Sequence, residues 1–270
     1  MAARKDTIFE RFLSPIFNNF LINREELRHF YESIDWEAAI QRLSEPELTY
    51  PTYYSSQNFH GIEGGYLNIG AAVSYDPITQ YVLPPSESIV RQTLIKAIQS
   101  KPQHILDLGC GTGSTTLLLK QAFPDAEVVG LDLSPYMLTV AEYKADKAGL
   151  DIKWQHGNAE QTDFPDASFD LVTASLLLHE MPPTISQSIL RECYRLLASR
   201  GEIAILDGNQ KVLRQTEWLT QIFEEPYIQA YASGSVDAWL GAAQFEGILT
   251  QEFWWLHQLS HGIKPLSYQD

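Results

Sequence analysis

Two aspartates, each at the end of an apolar run, are the residues of this sequence best placed for ligand chemistry. Asp107 lies in QHILDLGCGTG, where a short apolar run meets three spaced glycines before the apolar stretch STTLLLKQAF. Asp132 ends a second apolar run, AEVVGLDLS, at roughly 20 residues past the glycines, the spacing seen in adenosine sites. Strand, glycine turn and helix in this order form ligand sites at the carboxyl ends of parallel strands, where glycine lets a ligand approach the backbone closely.

The glycine spacing argues against a dinucleotide ligand. The fingerprint G-x-G-x-x-G, counted from Gly109, fails at Ser114. A carboxylate at Asp107 would repel a pyrophosphate and attract an ammonium group, so we predict a ligand with an amino-acid end. Asp132 is placed to accept both ribose hydroxyls of an adenosine cofactor, or is simply an acid at a helix N-terminus.

Two further segments complete a pattern. DIKWQHGNAEQTDFP indicates a short strand followed by Gly157-Asn158-Ala159, and FPDASFDLVTASLLLHEM indicates a buried fourth strand. The ordered set, from Gln103 to Gly208 and more weakly at GIKP near the end of the chain, resembles the class I S-adenosylmethionine-dependent methyltransferases. Within them it is similar to the branch that contains quinone-biosynthesis and natural-product small-molecule methyltransferases.

The resemblance implies an α/β fold with a Rossmann-like, seven-stranded methyltransferase sheet and helices on both faces. It also implies S-adenosyl-L-methionine as cofactor, with one acid near its methionine amino group, glycines beneath it, a second acid on its ribose, and apolar and amide groups along its adenine. Asn158 stands where the family often has Asp, which keeps the carbonyl acceptor and loses the charge. The cofactor-binding residues implied are Tyr75, Asp107, Gly109, Gly111, Asp132, Leu133, Met137, Asn158 and Ala159.

Simpler structural roles stay open for several of these residues. The glycines from 109 to 113 can form a plain strand-to-helix turn, and Asn158 can be a turn residue. Tyr75, expected to meet the methionine carboxylate, can instead be a packed tyrosine with a bonded hydroxyl.

Two histidines are candidates for a general base. His179 follows the fourth strand in SLLLHEMPP and can take a proton at neutral pH, or can pack against the following helix. His60 is a second candidate, in the aromatic stretch from Tyr50 to Asp76, although a loop histidine can equally be structural. No metal-ligand spacing is present in the sequence, so we predict no metal.

We predict two domains, an N-terminal helical, aromatic-rich cap and acceptor lid over residues 1–84 and a cofactor-binding methyltransferase domain over 85–270. Segment 7–22 has a helical apolar stripe and either caps the domain or meets a lipid-like acceptor at an interface. Further helices are predicted over roughly 24–44, 86–99, 184–199 and 216–233. The tail from Phe245 is short for the family's closing pair of strands, so one strand is expected to be missing or tiny.

Composition restricts the partners. With a net charge of −15 the chain should not favour nucleic acids or anionic membranes, and no apolar run is long enough to span a bilayer. The two cysteines form no disulfide framework, which indicates a reducing, cytoplasmic location. Cys110, inside the glycine turn, is expected to be a packing residue. A monomer or homodimer with a small-molecule acceptor is the expected form.

The functional hypothesis is in-line methyl transfer from S-adenosyl-L-methionine to a small, apolar or aromatic acceptor, either a secondary metabolite or a quinone-like compound. O-, N- and C-methylation all stay open. Two alternatives remain: a non-catalytic cofactor-binding scaffold of the same fold, and a nicotinamide-dependent oxidoreductase.

Overall fold

The computed structural model describes residues 23–62, 64–82, 85–216 and 225–266. Within these ranges seven strands form one sheet in the order β3-β2-β1-β4-β5-β7-β6. The first five strands along this order are parallel, and β7 runs antiparallel to both β5 and β6. The strands are β1 (His104–Leu108), β2 (Glu127–Asp132), β3 (Lys153–His156), β4 (Phe169–Ser175), β5 (Leu197–Gly208), β6 (Glu246–Phe253) and β7 (His257–Ile263).

Helices precede the sheet, connect its strands and follow its fifth strand. Two short 3₁₀ turns, Phe59–Gly61 and Leu178–Glu180, lie near the carboxyl ends of the strands. None of the helices in the described part of the chain is long and apolar enough to cross a membrane. The helices are α1 (Arg24–Glu32), α2 (Trp36–Leu43), α3 (Thr52–Ser55), α4 (Ile69–Val82), α5 (Glu87–Ala97), α6 (Ser114–Ala122), α7 (Pro135–Ala148), α8 (Pro183–Leu196), α9 (Gln210–Gln215), α10 (Ile228–Ser233) and α11 (Val236–Ala242).

The sheet is covered on both faces because successive side chains of a strand point to opposite sides. Leu106 of β1 packs in one apolar cluster with Ile189 of α8, whereas its neighbour Ile105 packs in another with Leu94 of α5. The predicted fold class, a seven-stranded α/β sheet with helices on both faces, is confirmed.

The N-terminal segment packs on α7 through a third cluster, in which Trp36, Phe59 and Tyr66 surround Met137 and Val140. The helix predicted over 24–44 is two helices, because Asp35 starts a new one by accepting the N–H of Ala38. The stretch expected to be a lid loop is partly helical as well, since α3 and the start of α4 lie within residues 50–76.

The expectation of a missing closing strand is wrong. β6 has 8 residues and β7 has 7, and they pair as an antiparallel hairpin. Tryptophan is common in strands, but Trp254 and Trp255 form the turn between β6 and β7. Their φ angles of 46° and 56° lie in the left-handed region, and the chain reverses direction there.

Some predictions lie outside the described residues. These are the amphipathic segment 7–22 and the residue at the 84/85 domain boundary, so the division into two domains stays a prediction. Residues 217–224 of the helix predicted over 216–233 are also outside, and α10 covers its last part.

The glycine turn after β1 depends on Gly109 for two separate reasons. Its φ of 61° is left-handed, and a Cβ there would lie 2.4 Å from Cδ1 of Leu177. Gly149, at the end of α7, has a similar φ of 66° but open space around its Cβ position. The two glycines therefore differ in crowding and share the backbone conformation.

We expect Gly109→Ala to lower the free energy of unfolding by more than Gly149→Ala, measured by urea denaturation. Both substitutions carry the left-handed cost of about 1–2 kcal/mol, and overpacking against Leu177 adds about 1–3 kcal/mol at position 109 alone. Adding Leu177→Ala should recover part of the loss at 109. Equal losses in the two single variants would contradict this account.

Candidate active site

The carboxylate of Asp132 joins the two loops that follow β1 and β2. Its Oδ2 accepts the backbone N–H of Gly111 at 2.8 Å, and its Oδ1 accepts that of Ser134 at 2.8 Å. Burial raises the pKa of Asp132 to about 6, against the opposing effect of these two N–H donors. The group is thus ionised at neutral pH and holds the glycine turn beside the start of α7.

A cavity opens at this edge of the sheet, with about 810 Å³ of empty space that includes the open solvent at its mouth. The turn after β1, the loops after β2, β3 and β4, and four tyrosines of the N-terminal segment form its walls. Eight of the nine predicted cofactor residues line it: Tyr75, Gly109, Gly111, Asp132, Leu133, Met137, Asn158 and Ala159.

Asp107 is the exception, and the structure places its carboxylate inside the sheet. Oδ2 accepts the hydroxyl of Thr116 at 2.6 Å, Oδ1 accepts that of Thr173 at 2.7 Å, and the residue is 1% exposed. Asp107 does not line the cavity. The predicted contact with a ligand ammonium group therefore has no support in this geometry, and the negative charge of the cavity comes from other acids.

Arg91 is a cavity residue that sequence reasoning missed. Among the described residues that line the cavity it is the only one with a cationic side chain. The residue is 6% exposed and donates from Nε to Glu87 and from a terminal nitrogen to Thr115, both at 2.8 Å. The guanidinium has further N–H donors, so it can bind an anionic group of a ligand.

Asn158 forms a local turn as well as lining the cavity. Its Oδ1 accepts the N–H of Glu160 at 2.9 Å, which is the pattern of an Asx turn. A carbonyl oxygen has two lone pairs, so the amide keeps acceptor capacity toward the cavity. Tyr53 extends this wall by donating its hydroxyl to Glu160 at 2.8 Å.

A chain of hydrogen bonds crosses the cavity wall from Asp132 to Glu180. The Ser134 N–H donates to Asp132, and the Ser134 hydroxyl donates to the backbone carbonyl of Tyr66 at 2.7 Å. The Tyr66 hydroxyl then donates to Oε1 of Glu180 at 2.7 Å. Glu180 lines the cavity, and burial raises its pKa. The two carboxylates are thereby connected through one aromatic residue.

The structure places neither predicted base among the residues that line the cavity. His179 directs Nδ1 at Asp207 Oδ1, 2.6 Å away. Burial lowers the pKa of His179, but the Asp207 charge outweighs it and raises the pKa to about 9. The imidazole is thus protonated at neutral pH and lacks a free site for a proton. His60 lies beside two carboxylates, Glu180 and Glu225.

Asp76 and Glu45 of the N-terminal segment contact residues beside the cavity. Asp76 of α4 accepts the hydroxyl of Thr112 in the glycine turn and pairs with Lys144 of α7 at 2.6 Å. On the other side, Nδ1 of His156 accepts the N–H of Glu45 at 2.8 Å, and its Nε2 donates to the Leu133 carbonyl at 3.0 Å. Burial lowers the pKa of His156, so the ring is neutral.

Comparison with known proteins identifies the region that supplies most of the residues lining this cavity. Residues 105–201 match the sequence model of the family described as "Methyltransferase domain". Residues 105–201 are a methyltransferase domain. The match confirms the predicted resemblance to the class I S-adenosylmethionine-dependent methyltransferases.

Two curated relatives of this region have the same name. The demethylmenaquinone methyltransferase of Thermus thermophilus is 38% identical over 117 residues, which are 43% of this chain and 52% of that protein. The enzyme of that name from Listeria monocytogenes is 38% identical over 112 residues, 41% of this chain and 46% of that protein. The chain spans about half the length of the curated relatives it matches.

Solved structures share the fold of the methyltransferase domain. Phosphoethanolamine N-methyltransferase 2 of Haemonchus contortus, in complex with phosphomonomethylethanolamine and S-adenosylhomocysteine, has a TM-score of 0.57 at 17% identity, covering 78% of this chain and 61% of that one. A SAM-dependent methyltransferase from Aquifex aeolicus has a TM-score of 0.55 at 17% identity, covering 73% and 98%.

We expect His156→Phe to lower the free energy of unfolding by about 2 kcal/mol, because the Glu45 N–H and the Leu133 carbonyl both lose their partner. Thermal and urea denaturation measure the loss. His104→Phe is the matched control, since the His104 side chain is 54% exposed. A loss of the same size in both variants would show that the two hydrogen bonds of His156 are not what stabilises this wall.

Proposed function

We propose that the chain binds S-adenosyl-L-methionine in this cavity and transfers its methyl group to a small aromatic acceptor. The observation that carries the proposal is a cavity lined mostly by residues of the methyltransferase domain, with the carboxylate of Asp132 at the end of β2 and the guanidinium of Arg91 from α5. A zwitterionic nucleoside with a ribose diol and a carboxylate matches this arrangement.

The two charged groups are associated with the ends of two different strands, which suits this ligand. Arg91 donates to Thr115, whose hydroxyl donates to Ser175 at the end of β4. Asp132 ends β2, and β1 lies between these two strands. Neighbouring strands are about 4.8 Å apart, so the ends of β2 and β4 are about 10 Å apart. Asp132 would accept the ribose hydroxyls, and Arg91 would donate to the methionine carboxylate.

The acceptor would lie beyond the glycine turn. Apolar side chains of Leu177, Met181 and Ile189 line this part of the cavity, together with the ring of Tyr66 and the carboxylate of Glu180. An aromatic ring that carries an oxygen substituent fits both features. The curated relatives are named for action on demethylmenaquinone, so we extend the proposal to quinol-like acceptors.

When bound, S-adenosyl-L-methionine would supply a methyl group on a sulfonium: the acceptor nucleophile would bond to the methyl carbon in line as the carbon–sulfur bond breaks, and S-adenosylhomocysteine would be the leaving group. The protein contributes alignment and exclusion of water. The Asp132 bridge fixes the glycine turn beneath the donor, and Leu177 closes against Gly109. Cys110 takes no part, because burial raises the pKa of its thiol well above the usual range.

Isothermal titration should show S-adenosylhomocysteine bound at equimolar ratio and NAD not bound. Tritium transfer from labelled S-adenosyl-L-methionine to reduced naphthoquinones tests the reaction itself. Binding without transfer to any acceptor would favour the non-catalytic scaffold. Binding of NAD alone would favour the oxidoreductase and would overturn the proposal.

The affinity for S-adenosylhomocysteine should fall as the pH is lowered through about 6, because protonated Asp132 can no longer accept both ribose hydroxyls. Asp132→Asn should weaken binding by roughly 10-fold or more at pH 7.5 and should remove this pH dependence. Asp125→Asn, at an exposed turn, is the matched control. A pH profile that is identical in Asp132→Asn and the parent protein would exclude the assigned role.

Arg91→Gln should weaken S-adenosylhomocysteine binding by roughly 10-fold, since a charge-assisted hydrogen bond to the carboxylate is lost. Adenosine, which has no carboxylate, should bind the variant and the parent protein equally well. Arg28→Gln, on the exposed side of α1, should change neither affinity. If both ligands lose affinity equally, Arg91 supports the fold of the cavity and does not bind the carboxylate.

A further inference from the structure

Three side chains able to bind a metal ion converge beside the cavity. His60 Nε2 lies 2.6 Å from Glu225 Oε1 and 3.8 Å from Glu180 Oε1. One ligand atom from each residue lies within 4.8 Å of the other two. The residues come from the two 3₁₀ turns and from the loop before α10. No sequence motif joins them, which is why the sequence alone predicted no metal.

Glu225 is the member that requires an explanation. Its side chain is 1% exposed, and within the described ranges neither carboxylate oxygen has a hydrogen-bond partner. Its charged neighbour is His60, whose Nε2 lies 2.6 Å from Oε1 and pairs with it only when the imidazole is protonated. A buried carboxylate without hydrogen bonds is costly, so this position calls for a strongly electropositive ligand aimed at its oxygens.

The charge of the cluster points the same way. Two carboxylates with side-chain exposures of 14% and 1% face one imidazole, which can balance only one of them. A divalent cation with a neutral imidazole would balance both. Tyr66 already donates to one oxygen of Glu180, which fixes that carboxylate in place as outer-sphere hydrogen bonds do at metal sites.

We propose that His60, Glu180 and Glu225 bind a divalent first-row transition cation such as Mn²⁺ or Zn²⁺. One imidazole nitrogen and two carboxylate oxygens are a suitable donor set for these ions. Bonds of about 2.0–2.2 Å place neighbouring ligand atoms about 3 Å apart. The separations of His60 Nε2 from the two carboxylates, 2.6 and 3.8 Å, lie on either side of that value, and all three ligand atoms lie within 4.8 Å of one another.

The site belongs to the acceptor end of the cavity, because Glu180 and Tyr66 line it. Three protein ligands leave coordination positions open, and an oxygen of the acceptor can occupy one of them. The cation would then orient the acceptor and favour the deprotonated form of its hydroxyl. This role rests on the proposed function, whereas binding of the cation does not.

Calorimetric titration of the full chain with MnCl₂, after dialysis against a chelator, tests the proposal. We expect one ion per chain, with affinity reduced at least 10-fold in His60→Ala, Glu180→Gln and Glu225→Gln. His29→Ala is the matched control, since His29 lies beside Glu25 on an exposed helix face and should bind Mn²⁺ like the parent protein. Mn²⁺ should also raise the melting temperature of the parent protein, and it should not raise that of the three site variants.

Absence of saturable binding to the parent protein, or equal binding by parent and site variants, would overturn the site. Glu225→Gln can fail to fold because the residue is buried. In that case the Mn²⁺ affinity of Glu180→Gln, with a melting temperature in the absence of metal equal to that of the parent protein, decides whether the site exists. S-adenosylhomocysteine is titrated into the same proteins without metal. Failure of that ligand to bind the parent protein overturns the proposed function and leaves the cation result standing.

Discussion

The cavity depends on one buried carboxylate. Asp132 accepts N–H groups from the turn after β1 and from the start of α7, so two neighbouring loops that line the cavity share a single acceptor. The same oxygens are the ones offered to a ligand. A substitution of Asp132 therefore changes the positions of the two loops and the contact with the ligand at the same time. A side chain that replaces the carboxylate must accept both N–H groups and also bind the ligand.

The balance of charge in the cavity is acidic. Asp132 and Glu180 line it and Arg91 is the one cationic side chain among the described lining residues. The sulfonium of the proposed donor carries a positive charge that disappears when the methyl group leaves. Acidic walls thus favour the donor over its neutral product, which assists binding and product release more than the chemical step, because that stabilisation is already present in the ground state.

The sequence predicted the fold and eight of the residues that line the cavity, because both follow from local pattern. The role of Asp107 could not be predicted from its position at a strand end, because that position does not reveal which face of the sheet the side chain is on. The side chain lies on the face covered by α6, where its carboxylate accepts the hydroxyl of Thr116. Arg91 and Glu225 reach the cavity region only through packing of distant segments. The closing hairpin was missed because left-handed backbone at Trp254 and Trp255 overrides the strand preference of their side chains.

Tyr66 has a consequence for how two ligands share the cavity. Its carbonyl is anchored at the donor side through Ser134, and its hydroxyl is anchored at the acceptor side on Glu180. Its ring is also held by Phe59, stacked with centroids 5.5 Å apart. A shift of Ser134 or of Glu180 would have to move Tyr66, and the hydrogen bond at the other end of Tyr66 opposes that movement. Loading of one compartment should thus alter affinity in the other, and thermodynamic reciprocity makes the effect equal in both directions.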